Sequence, residues 1–282
     1  MRRLLLALCA LIASPSAFTA AAPVPACWGA DAASSGAAAL GHFGVIELRR
    51  YPVTPGQRPT FAQYYESWFP EAFEQLGSLI FGDFYERGSR NNFTWIRGFH
   101  TVEDRAIVDA QFYYGPVWRE HRDLANSLLP GVDDNVLELR PLNADTEVPA
   151  LPAVNPIAEP QGARGVVVAE IYAVKEPDLE AFSERALHAF SRYRVAGVRA
   201  AGVLVTLKGS NNFPLLPFRT DGPYLVALHL VRDQAVLEDT FDSLLARTNR
   251  DLTASGMLRR APEVLLLDPA PRSRLRWLPR CK

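Results

Sequence analysis

Two segments of this 282-residue chain carry the same order of hydrophobic patterns, and that internal repeat limits the fold more than any composition figure. Each copy opens with a β-rich run, Val45–Tyr51 in the first and Val166–Val174 in the second. An apolar stripe at helical spacing follows: Phe61, Tyr64, Tyr65, Trp68, Ala72, Phe73 and Leu76, then Leu179, Phe182, Ala186, Ala189, Phe190 and Tyr193. Gly77 and Gly197 stand where a C-terminal glycine closes a helix. The first copy then has Leu79–Tyr85, a turn, and a strand over 91–99. The second has Val203–Leu207, leading through Lys208-Gly209-Ser210 to Asn211-Asn212-Phe213, with Tyr224–Leu230 as its next strand. The Asn-Asn-Phe triplet recurs 120 residues apart, as do the two glycines. Second helical regions at Val102–Leu128 and Gln234–Thr253 lead to closing strands at Val136–Leu139 and Val264–Leu267.

The order is β-α-β-β-α-β, twice. It predicts an α+β fold of two tandem ferredoxin-like units, each with its helices on one face of a four-stranded antiparallel sheet. The other face of each sheet needs a cover. Two units in one chain provide it by packing sheet to sheet as an intramolecular barrel, which also makes a monomer the expected state. The units are placed at 42–140 and 165–268. Between them, 141–164 carries Pro141, Pro149, Pro152, Pro156 and Pro160 without any apolar period, the pattern of an extended linker.

The chain ends bear on location. Arg2 and Arg3, the apolar run Leu4–Ala13 and the small residues up to Ala22 follow the order of a cleavable export signal, placed at 1–21. The expectation is an exported protein, periplasmic or secreted, with no transmembrane segment. Cys9 leaves with the signal, so Cys27 and Cys281 remain, and an oxidising compartment favours a disulfide between them. Val24-Pro25-Ala26-Cys27 faintly resembles an acylation site but lies far behind the apolar run. Lys and Arg total 30 against 31 Asp and Glu, which argues against a broadly basic nucleic-acid binder. The one basic cluster is the tail 269–282, with Arg272, Arg274, Arg276, Arg280 and Lys282, read as a solvated segment held down by the disulfide and Trp277.

Glu47-Leu48-Arg49-x-Tyr51, followed by Pro55-Gly56 and Phe61 on a helix, resembles the opening of NIPSNAP domains. Trp95-x-Arg97-x-Phe99 followed by Glu103-Asp104-Arg105 adds to that resemblance. It covers 45–140 well and 166–268 as a diverged copy, in which Glu170 keeps the acid without the arginine and His229 replaces the Trp-x-Arg. The resemblance implies a tandem dimeric α/β-barrel, a fold that also hosts small oxygenases and haem-dependent enzymes, so fold alone identifies no reaction.

Strand alternation sorts the candidate residues. With Ile46 and Leu48 turned to the helices, Glu47, Arg49, Trp95, Arg97 and Glu170 are expected inside the barrel, as a site for an anionic or aromatic ligand or as an internal ion-pair cluster. His229 is the best-placed candidate for a general base or haem ligand, with Arg97 the other weak catalytic candidate; a packed strand histidine is the plainer reading. His188 lies beside its helix stripe. Phe112, Tyr113, Tyr114 and Trp118, around Gly115-Pro116, form an aromatic knot, either a lid over the barrel mouth or core packing where a helix breaks. No metal-ligand spacing, phosphate loop, Gly-x-Ser-x-Gly or Cys-x-x-Cys occurs. The expected role is small-ligand or protein-partner binding without a cofactor, the alternatives being an oxygenase or haem enzyme in the barrel cavity and a purely structural domain.

Overall fold

A computed structural model describes residues 26–28, 41–131 and 135–280. The export-signal segment and Cys281 lie outside the described residues. The first unit runs β1 (Val45–Pro52), α1 (Arg58–Gln75), β2 (Leu79–Glu86), β3 (Asn92–Phe99), α2 (Val102–Tyr113), α3 (Pro116–Leu128) and β4 (Val136–Pro141). The second runs β5 (Val166–Ala173), α4 (Leu179–Phe190), β6 (Arg199–Thr206), β7 (Tyr224–Val231), α5 (Asp242–Thr253) and β8 (Glu263–Pro269). Local chemistry explains several boundaries. The Thr101 side chain accepts from the Asp104 N–H and caps α2, and Pro116 stands at the start of α3, where a missing N–H costs nothing. A π-helical turn, Leu237–Phe241, leads into α5.

The eight strands close into one antiparallel barrel in the order β1-β3-β2-β8-β5-β7-β6-β4. The two units meet edge to edge. Tyr85 pairs with Asp268 across the β2–β8 seam, and Arg140 pairs with Val205 across the β4–β6 seam. Each unit therefore satisfies the other's open sheet edges, and the barrel closes within one chain. This is the α+β, dimeric α/β-barrel architecture that the repeated element order implies.

The barrel interior is apolar and filled. Ile46, Phe84, Ile96, Leu139, Ala169, Leu204, Leu228 and Leu265, one from each strand, belong to a single buried cluster. Two other clusters lie between each sheet and its own helices. Gly98 shows how tight the interior is, since a Cβ there would come within 2.7 Å of the Phe81 ring.

The connecting segments are structural rather than loose. Val148 of the linker is buried in the interior cluster, with Ala150 and Leu151 packed against it. The tail departs from the solvated reading: Ala270, Ser273, Leu275, Arg276 and Leu278 are all buried. Its arginines find acids of the same chain, Arg274 with Glu74 at 3.0 Å, Arg276 with Glu159 at 2.8 Å, and Arg272 with Glu71. The reason is steric as much as electrostatic, because the tail crosses β2 where Gly82 leaves room for Ser273. Among the described residues no helix is long and apolar enough to cross a membrane.

Candidate functional site

The alternation expected for the strands is present, but its sense is reversed. Ile46 and Leu48 line the barrel interior, whereas Glu47, Arg49, Trp95, Arg97 and Glu170 face the helix layers. The physical cause follows from closure: apolar side chains from all eight strands meet in the interior, which offers a buried charge no partner. The helix side offers partners instead, since Arg105 and Asp109 lie one turn apart on α2 and project onto the sheet.

Glu47 is the centre of the first-unit cluster. Its Oε2 accepts from Arg97 Nε at 2.6 Å and from Arg49 Nη1 at 2.7 Å, and its Oε1 accepts from Arg105 Nε at 2.7 Å. Arg97 and Glu47 are direct cross-strand partners, as are Glu138 and Glu47. Arg97 Nη1 lies 2.8 Å from Asp109 Oδ1, and Arg105 Nε lies 3.1 Å from Glu138 Oε1. Glu47, Arg49, Arg97, Arg105 and Asp109 are all fully buried. Burial raises the Glu47 carboxyl, but Arg97, Arg49 and Arg105 outweigh it and hold Glu47 far below the usual carboxylate range. Burial dominates at Asp109, whose carboxyl is raised, and at Glu138, which is pushed up to about 7 against the pull of Arg105. The cluster therefore joins three permanent cations to one strongly held anion and two reluctant ones.

The second unit contributes to this cluster directly. Arg105 Nη1 donates to the Asn211 and Asn212 side chains at 3.2 and 2.9 Å, and Asn212 Nδ2 donates to the Val102 carbonyl at 2.6 Å. These asparagines sit in the long β6–β7 connection, so the repeated Asn-Asn-Phe serves two purposes: Asn92 and Phe93 begin β3, while its copy bridges the units.

A void of about 40 Å³ lies beside the cluster, between the sheet and α1, α2 and α3. Tyr51, Tyr65, Phe73, Trp95, Tyr113 and Trp118 are among its walls. Two buried donors on that wall, Tyr65 Oη and Trp95 Nε1, have no hydrogen-bond partner. Tyr65 keeps its proton, because burial, with Asp83 nearby, pushes the phenol well above its ordinary range. The Arg49 and Arg97 guanidiniums lie 5.3 and 5.2 Å from the Trp95 ring. Phe112, Tyr113 and Trp118 of the aromatic knot belong to this wall, while Tyr114 is 61% exposed. Phe112 stacks on Phe73 at 3.8 Å and Tyr113 meets Trp118 at 5.0 Å, so the knot packs on α1 rather than over the barrel mouth.

The equivalent acid of the second unit has a different environment. Glu170 Oε2 accepts from Tyr172 Oη at 2.5 Å, Asn249 Nδ2 at 3.0 Å and Tyr193 Oη at 3.3 Å. Its Oε1 lies 3.2 Å from His229 Nε2. Phe190, Tyr193 and Phe241 enclose the His229 ring, with Phe241 delivered by the π-helical turn. Of the sequence candidates, the structure brings Glu47, Arg49, Trp95 and Arg97 together in one helix layer and Glu170 with His229 in the other. Arg105, Asp109, Glu138 and Asn212 were not candidates. The signal available for the first two was their i, i+4 spacing with opposite charge on an otherwise apolar helix face.

His229 is 1% exposed and walled by rings, and the void beside Trp95, about 40 Å³, has room for a few heavy atoms and not for a macrocycle. The residues as arranged do not fit a haem. Among the described residues, no group of three or more His, Cys, Asp and Glu could hold a metal ion.

The fold of this chain is shared with solved structures at low identity. A candidate monooxygenase of Fusobacterium nucleatum is 10% identical, with 86% of this chain and 99% of that one covered at a TM-score of 0.51. An anthrone oxidase-like protein is 11% identical, with 86% and 98% covered at a TM-score of 0.50. An uncharacterised NIPSNAP domain protein from Burkholderia xenovorans is 16% identical over 33% of this chain and 88% of that one, at a TM-score of 0.29. No family model and no curated protein matches the sequence. At these identities the likeness establishes the dimeric α/β-barrel fold.

Proposed function

We propose that the protein is a small-ligand-binding protein whose site is the aromatic void of the first unit, and that the ligand is a short-chain carboxylate. One observation carries this reading. Trp95 and Tyr65, which both wall the void, carry buried donors, Nε1–H and Oη–H, that have no acceptor among the described residues. A buried donor left unmade costs about 1–3 kcal/mol, so an acceptor group entering the void gains more than an ordinary hydrogen bond. A carboxylate brings two acceptor oxygens and a charge that Arg49 and Arg97 favour, and a short alkyl end suits the aromatic wall. The volume, room for about three water molecules, limits the ligand to a few heavy atoms.

The oxygenase alternative draws support from fold likeness alone. Of its two weak catalytic candidates, Arg97 is committed to Glu47 and Asp109, and His229 is buried among rings with Nε2 3.2 Å from Glu170 Oε1. The same reading includes export of the chain, supported by the order of residues 1–21. It also includes a Cys27–Cys281 bridge, supported by the pairing of the neighbouring Trp28 with Arg280 and the Trp28 N–H bond to the Pro279 carbonyl at 2.6 Å.

Calorimetric titration of the mature protein with propionate tests the proposal, with propionamide as the neutral comparison. Propionate should bind saturably, and Trp95→Phe and Tyr65→Phe, which remove one donor each while keeping the ring, should each weaken it. Trp68→Phe, outside the void, should not. Undiminished binding in both donor variants, or no binding at all, overturns the reading.

A further inference from the structure

A second cavity lies on the outside of the first unit, where the linker and the tail cross α1 and β2. It is a cleft of about 380 Å³, within the range of small-molecule sites, and shares no residue with the aromatic void. Its walls are largely apolar, with Pro70 and Ile80 on one side, Val154, Pro156 and Pro160 on the linker side, and Pro271 on the tail.

The charges around it are matched with one exception. Glu71 has Arg272, Glu74 has Arg274 at 3.0 Å, and Glu159 has Arg276 at 2.8 Å. Asp83, the remaining acid of the wall, has no cation paired with it among the described residues. It is the cross-strand partner of Trp95, so its side chain stands on the helix-bearing side of β2, where the cleft lies. Its backbone is clamped by the tail: the Asp83 N–H donates to Ser273 Oγ at 3.1 Å, and the Ser273 hydroxyl donates to the Asp83 carbonyl at 2.6 Å. Its carboxyl Oδ2 is buried without a hydrogen-bond partner, in a residue only 2% exposed.

Such a carboxyl is costly either way. Burial, with the like charge of Glu66 nearby, raises it well above its ordinary range, so it holds its proton when nothing faces it. A compact cation with several donors supplies the missing donor at Oδ2 and favours the ionised carboxylate, whose proton passes to solvent. A guanidinium is not needed, because the tail arginines already occupy the planar, bidentate positions on Glu74 and Glu159.

We propose that this cleft is a second ligand site, which takes a small organic monocation, a primary ammonium on a short apolar chain. Asp83 is the anchor for the ammonium and the proline-rich walls hold the chain. The linker and tail form two sides of the pocket, so the segments outside the repeat have a binding role that neither unit alone could supply.

The test uses the mature chain and n-butylammonium chloride, followed by thermal denaturation and by calorimetric titration. Sodium butyrate and 1-butanol at matched ionic strength separate charge from apolar contact. Butylammonium should raise the melting temperature saturably and the two comparison molecules should not. Asp83→Asn keeps the side-chain shape and both bonds to Ser273, and should weaken butylammonium binding at least tenfold. Val154→Phe fills the cleft from the linker without touching Asp83 and should have the same effect. Equal binding of butylammonium and butanol, full binding by Asp83→Asn, or no response in the unaltered protein overturns the proposal. Val154→Phe lies away from the aromatic void, so its effect separates this cleft from propionate binding.

Discussion

Arg105 Nε lies 2.7 Å from Glu47 Oε1, while Nη1 of the same guanidinium reaches the Asn212 side chain of the second unit at 2.9 Å. One side chain thus joins a helix, the first strand of its own sheet and a loop of the other unit. The carboxylate at its end also carries Arg49 and Arg97. Removing that charge leaves three buried guanidiniums around a neutral group, and breaking a buried pair typically costs about 3–5 kcal/mol. Glu47→Gln should lower the unfolding free energy by that order, read from the urea midpoint. Glu176→Gln, at the exposed pair with Lys208, should change it by less than about 1 kcal/mol.

Stability should depend on pH through groups of this cluster with opposite sign, Glu47 on one side and Glu138 with Asp109 on the other. Folded Glu47 is held far below its unfolded value, so its contribution is present above the unfolded carboxylate range and is lost as pH falls. Folded Glu138 keeps its proton up to about 7, against an ordinary value of 4.5. Between those limits the folded state binds more protons than the unfolded state, and the unfolding free energy falls as pH rises. The size is on the order of 3 kcal/mol across the window. Urea unfolding at intervals from pH 5 to 8 should show this decline, and Glu138→Gln should flatten it. An unchanged slope in that variant would place the effect elsewhere.

The tail offers a comparison of burial at constant chemistry. Arg276 is buried with Glu159, whereas Arg272 and Glu71 are each half exposed. Arg276→Ala should destabilise by about 2–4 kcal/mol, because it removes a desolvated partner and opens space beneath the strap. Arg272→Ala should stay within about 1 kcal/mol. Thermal denaturation of the two variants side by side checks the difference.

Barrel closure inside one chain leaves no seam for a second copy to complete, since β2 is sealed by β8 and β4 by β6. The mature protein should therefore run as a monomer by light scattering, at concentrations from micromolar upward. A stable dimer would show that another surface is used for association.

The fold was legible because each level of the sequence agreed with the next. Periods of 3.6 and 2 alternated in the same order twice, and Gly77 and Gly197 closed equivalent helices. The candidate site was legible in its members but not in its placement. Glu47, Arg49, Trp95 and Arg97 do share a face, yet alternation alone gives two equivalent faces and does not say which one the helices cover. Hydrophobicity does not settle it here, since both faces of β1 and β3, which carry these residues, are largely buried. What decides is the closure of the barrel, a contact between residues such as Tyr85 and Asp268 that are far apart in sequence. The same distance hid the role of the tail: Arg274 and Arg276 form a basic run in sequence and lie against Glu74 and Glu159 in space.

The indole N–H of Trp95 gives the most direct test that the ligand site is the helix-side void and not the barrel. In the ¹⁵N-labelled mature protein its resonance, assigned by Trp95→Phe, should move saturably on titration with propionate as the unpartnered donor gains an acceptor. The Trp277 resonance, from the tail that packs against the barrel-interior cluster, should stay in place. A stationary Trp95 signal, or a Trp277 signal that moves while Trp95 does not, would contradict the account.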